Sequence, residues 1–218
     1  MMDVVFQALK TSGMFLAKGG VLIWPIMLCS VVAVALTIER LWYYNRIGGN
    51  TPKLYAQIVA FVQQGHVDRA LTLSEQHGGI LARIFTIILQ NHRRPVEEIE
   101  KLVSMAGTRE IQKLSQHVRG LGIIGSVTPL IGLLGTVVGM VKTFMQIADA
   151  SGQVNPSLLA GGIWEALLTT AAGLTVAIPV VIMYHYCEGV VEKFAMQMKS
   201  YSIECIDLVK RGDADDRI

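Results

Sequence analysis

From Gly120 to Val141 no residue carries a charge. A helix rising about 1.5 Å per residue over that length crosses the roughly 30 Å hydrocarbon core of a bilayer. The stretch is therefore a membrane span. Gly132, Gly135, Thr136 and Gly139 fall within it at three- and four-residue spacings, so they line up on one side of the helix. Helices associate in lipid through close packing and interhelical hydrogen bonds, and a stripe of small residues lets another backbone come near. This span predicts helical neighbours. Thr136 either bonds its own backbone one turn back, which hides the hydroxyl, or presents it to a lumen. Pro129 removes a backbone donor mid-span and predicts a kink, or nearby groups that satisfy the carbonyl left free.

Composition agrees with a membrane protein: 218 residues, 52% hydrophobic, with a mean hydropathy of +0.46. A net charge of +2, spread along the chain, gives no basis for nucleic-acid binding. Three cysteines without CxxC or Cys/His spacing predict neither a disulfide framework nor a metal site. Uncharged segments occur at 19–38, at 120–141 and at 166–184, the last preceded by a weakly polar lead-in from Leu158. The first starts late, follows Asp3 and lacks a small-residue cleavage site, so it reads as a retained span rather than a signal peptide.

Orientation follows from the loops. Ten Lys or Arg residues lie from Asn45 through Arg119 and five more follow Tyr186, whereas 148–164 contains none. The positive-inside rule puts the long loop and the C-terminus in the cytoplasm, and the N-terminus and short loop outside. The predicted layout is an outer amphipathic segment 1–18, a first span 19–43, a cytoplasmic helical region 44–119, a second span 120–147, an outer loop 148–157, a third span 158–186, and a cytoplasmic helix and tail 187–218. The fold class is an all-α integral membrane protein with three transmembrane helices and long cytoplasmic helical extensions.

Within this layout Glu39 and Arg40 close the first span beside Trp42, Tyr43 and Tyr44, a charged and aromatic cluster of the kind that anchors at headgroup depth. Glu39 there pairs with Arg40 or a neighbouring chain, or is simply solvated. The loop predicts helices ended by Gly65 and by Gly78–Gly79, a third from Ile80 to about Asn91, and a fourth opened by Pro95 with Glu97, Glu98 and Glu100 in its first turns. No turn signal separates Pro95 from the second span except Gly107 and the glycines near Gly120, so a single helix of roughly 50 residues is expected there. His66, His77, His92 and His117 lack one-turn pairing and read as solvated or core residues. No phosphate loop, nucleophile elbow or carboxylate pair supports an enzyme, and no cofactor is implied.

The third span carries Glu165 a few residues inside, with Thr169 one turn on and Thr170 beside it. An ionisable group at that depth is a functional candidate unless it snorkels to the outer interface. Thr170, Gly173 and Ala177 make a second small stripe, and Pro179 predicts another kink. Past Tyr186 the helix continues amphipathically through Val190, Phe194, Met198 and Tyr201.

The runs PLIGLLGTVVGMVKTF and GGIWEALLTTAAGLTVAIPVVIMY, with IERLWYY and ALTLSEQHGGILARI, resemble the MotA/TolQ/ExbB proton-channel family, most closely its ExbB/TolQ branch. The resemblance implies a homopentamer in the bacterial inner membrane around two copies of an ExbD/TolR-like single-span partner, whose transmembrane Asp carries protons through the lumen. Proton flow would drive work on the outer membrane or envelope, for example TonB-dependent transport, with a TonB- or TolA-like protein receiving it. It also implies that Thr136 and Thr170 are lumen-facing hydroxyls near that Asp and that Glu165 is functional. On an ideal helix Thr169 lies about 40° from Glu165 and Thr170 about 140°, so Thr169 stays a second choice. An energy-independent scaffold that recruits a partner through its cytoplasmic helices, and a flagellar-type stator, are the alternative readings. The absence of further intramembrane carboxylates favours H⁺ over Na⁺.

Overall fold

The computed structural model describes residues 20–47, 51–149 and 156–215. Among these, seven helices follow one another without a strand: α1 (Ile23–Ile47), α2 (Thr51–Gln63), α3 (Val67–Gln76), α4 (Ile80–Gln90), α5 (Val96–Ser115), α6 (Val118–Asp149) and α7 (Pro156–Asp215). The expected amphipathic segment 1–18, most of the outer loop 148–157 and the end of the tail lie outside the described residues. Three helices are long and apolar enough to cross a bilayer, over Ile23–Asn45, Val118–Asp149 and within Leu159–Gly212. α4 is as apolar but too short to span, and it serves as a core helix instead. Pro129 and Pro179 lie inside α6 and α7, which continue through them.

The chain divides into two compact units, one from Met1–Thr37 with Arg119–His185, the other from Ile38–Val118 with Tyr186–Ile218. The second is built around α4. Its Ile84, Phe85, Ile88 and Leu89 recur at helical spacing and are fully enclosed. Leu54, Ile58 and Val62 of α2, Ile99 and Leu114 of α5, and Met198, Cys205, Ile206 and Val209 of α7 are buried with them. Gly65 ends α2 in a left-handed conformation (φ +73°), its N–H donating to Val62 O at 3.0 Å. Ser74 Oγ and Thr86 Oγ1 share a hydrogen bond of 2.9 Å that ties α3 to α4. Lys210 Nζ donates to His92 O and Arg94 O, both at 2.6 Å, and so closes the turn between α4 and α5. Tyr55 stacks on Tyr201, ring centroids 4.4 Å apart, and on Phe85 at 5.8 Å. Its hydroxyl is enclosed with no hydrogen-bond partner among the described residues. Burial, and then the neighbouring Glu204, push the phenol well above its usual range.

The single helix expected from Pro95 through the second span is interrupted. α5 stops at Ser115, and a turn at Gln116–His117 precedes α6. Gln116 stays in the right-handed region (φ −53°, ψ −46°), so no glycine or proline announces the break. Donors from α1 replace the missing helical ones. Arg40 Nη1 donates to Lys113 O at 3.3 Å and to Leu114 O at 3.2 Å, and Tyr44 Oη donates to Leu114 O at 3.2 Å. Those carbonyls would otherwise be orphans at the end of a helix.

Candidate functional site

In the first unit α6 and α7 pair antiparallel along their small residues. A methyl group on Gly139 would meet Ala166, one on Gly135 would stand 2.8 Å from Thr169 Cβ, and one on Gly132 3.1 Å from Thr170 Cα. Gly125 lies against Val181 and Gly122 against Tyr184, so numbers rise on one helix as they fall on the other. Gly132 is the tightest case to alter, because what it faces is the backbone of Thr169 and Thr170, which has no side-chain freedom to yield. From α7, Gly173 stands against Thr128 O and Gly132 itself, and Ala177 is buried.

Thr170 holds this seam with a hydrogen bond. Its Oγ1 donates across the two helices to Gly132 O at 2.8 Å. Thr169, 2% exposed, packs on Gly135 and donates to the backbone carbonyl of Glu165 at 2.9 Å. Thr136 donates to Leu133 O at 2.6 Å and remains partly exposed. A hydroxyl engaged this way keeps its oxygen lone pairs free to accept. Sequence reasoning passed over Thr128 and Thr143. Both are buried on the same stripe of α6 and bond back to Ile124 O and Gly139 O at 2.6 and 2.9 Å. Their spacing, 128, 132, 135, 139, 143, was available as a signal.

Glu165 is half-buried and turned towards the start of α1. Its carboxyl rests against Gly20, where a methyl group would overlap Oε1 and lie 3.2 Å from Cδ. Gly20 has φ +67°, and its carbonyl accepts from Ile23 N at 3.4 Å as the helix begins. The structure thus brings Glu165 to α1, Thr169 to Gly135 and Thr170 to Gly132, whereas Thr136 makes its hydrogen bond inside its own helix.

Glu39 and Arg40 lie in the other unit. Arg40 is 4% exposed, and besides capping α5 its Nε donates to Glu39 Oε2 at 2.6 Å, with Tyr43 4.7 Å from its Cζ. Glu39 Oε2 also lies 3.0 Å from His117 Nδ1, at the turn between α5 and α6. The guanidinium thus donates to Glu39 and to the end of α5 together. Nothing in the spacing of His117 pointed to Glu39, since 78 residues separate them. Among the described residues no three His, Cys, Asp or Glu side chains are grouped to hold a metal.

The chain is similar to several known proteins. The chain is 28% identical over 174 residues to the biopolymer transport protein exbB1 of Vibrio cholerae, spanning 74% of this chain and 72% of that one. A Haemophilus influenzae Tol-Pal system protein, TolQ, is 42% identical over 85 residues, 39% of this chain and 37% of its own length. A chain of C. jejuni MotAB has the same fold, with a TM-score of 0.64 across 97% of this chain and 88% of that one at 17% identity. With residues 76–200 matching the model of the MotA/TolQ/ExbB proton channel family, more than half its length, this multi-pass membrane protein is a member of that family.

Proposed function

We propose that the chain is the proton-channel subunit of an ExbB/TolQ-like motor in the bacterial inner membrane. It acts as a homopentamer around an ExbD/TolR-like single-span partner whose transmembrane Asp carries the proton, and the work goes to the outer membrane or envelope, as in energised transport. The N-terminus and the loop 148–157 face outward; 44–119 and 187–218 are cytoplasmic.

The observation that carries the reading is the α6–α7 seam with its threonines. Thr170 and Thr136 have each given their hydroxyl hydrogen to a backbone carbonyl, Gly132 O and Leu133 O. What remains on each oxygen is acceptor capacity. A carboxyl group in a dry lumen has its charged form disfavoured, so it travels protonated and needs acceptors where it pauses. Two hydroxyl oxygens near one level of the seam provide them without binding the charged form tightly. Glu165, beside α1, adds a titratable group on the outer side of Thr169 and Thr170.

The test is T136V/T170V co-expressed with the partner, measuring envelope work that a protonophore abolishes. The double variant is expected to accumulate and assemble normally while losing on the order of a hundredfold in proton-driven activity. Full activity at normal expression would remove these hydroxyls from the mechanism. Wild-type activity that a protonophore leaves untouched would favour an energy-independent scaffold.

A further inference from the structure

The carboxyl of Glu165 reaches its position only because the residue it rests on has no side chain. Gly20 stands at φ +67°, in the left-handed region, and a Cβ there would occupy the space of Glu165 Oε1. Glu165 is half-buried and belongs to α7, whereas Gly20 lies just ahead of α1, far away in sequence. Two properties of one residue, its backbone conformation and its missing methyl group, thus meet at the one carboxylate between Leu158 and Tyr186.

We propose that Gly20 is a positioning residue for Glu165, holding the carboxyl just ahead of α1 at the depth where it exchanges protons. Gly20 touches no proton itself. Its bare backbone forms the seat, and any Cβ displaces the carboxyl towards lipid or lumen. The proposal rests on the reading of Glu165 as part of the proton path, and the tests below separate the two.

Steric displacement and backbone strain make different predictions. Gly20→Ala introduces both. Adding Glu165→Asp withdraws the carboxyl by one methylene and leaves the strain in place. In the full chain co-expressed with its partner, G20A is expected to lower protonophore-sensitive activity roughly tenfold to a hundredfold and to move the midpoint of its pH profile. Measured against E165D alone, whatever activity that variant retains, G20A/E165D is expected to show little further loss. Gly20→Asn, which tolerates the left-handed backbone yet carries a Cβ, is expected to behave as G20A does. Unchanged activity and pH midpoint in G20A would overturn the proposal, as would a G20A loss as large in the E165D background as in wild type. If G20A fails to accumulate in the membrane, protein level is read instead: G20A/E165D accumulating as E165D alone does supports the steric seat, and a level as low as that of G20A overturns it. Infrared titration of the carboxyl band that E165Q removes reads the position of Glu165 independently of activity. A shift of that midpoint in G20A, with E165Q fully active, would keep the seat and dismiss the proton path.

Discussion

Tyr55 is stacked between Phe85 and Tyr201, and its hydroxyl is enclosed without a partner among the described residues. A buried polar group in that state costs about 1–3 kcal/mol. Tyr55→Phe removes the cost and keeps the stack, so it is expected to stabilise the protein by about 1 kcal/mol, read from denaturant unfolding in detergent. The gain should grow with pH. The folded phenol titrates above its unfolded value of 10.0, so the native state binds the proton more tightly. That contribution is complete below pH 10 and is lost as pH rises towards the folded value, and the phenylalanine variant is spared the loss. Elsewhere at this scale the sequence was only partly legible. Periodicity separates Thr169 from Thr170 by direction, yet it says nothing of what faces either. Against Gly135 the first becomes a packing residue, and beside Gly132 the second finds a carbonyl to bond.

Helices α2 to α5 were legible because their stops are local: Gly65 with its left-handed φ, Gly79 before α4, and Pro95 before α5. The stop at Ser115 was not, because it is imposed from α1. Arg40 lies 74 residues before Leu114, whose carbonyl it caps together with Tyr44. Arg40→Ala is expected to leave the carbonyls of Lys113 and Leu114 short of donors and to cost about 2–4 kcal/mol. The loss should appear as faster amide exchange in the last turn of α5, with α3 unchanged. Arg40→Lys should restore only part, since an ammonium is a point donor and does not fork between Glu39 and two carbonyls. Equal protection in wild type and R40A would show that the turn closes without the guanidinium.

Over the whole molecule, long apolar runs gave the number of spans, because hydropathy needs no knowledge of neighbours. The start of α1 at Glu165 was out of reach, since contact between a first and a third span has no periodic signature. How many copies stand around an axis is likewise a property of surfaces between chains. Topology is open to a direct check. The charge asymmetry of the loops predicts that a reporter active only in the cytoplasm works when fused after Asp215 and fails when inserted in 148–157. The reverse pattern would invert the orientation proposed for all three spans.

The bare seam of α6 and α7 has a consequence for how the chain enters its bilayer. Alone, either helix presents a furrow along its glycines that acyl tails must bend to fill. Docked as a hairpin, the two fill each other's furrows and set those tails free. Folding of this half of the protein is thus drawn forward by disorder returned to the surrounding lipid, and stiffer, more saturated membranes should hold the hairpin together more firmly than fluid ones.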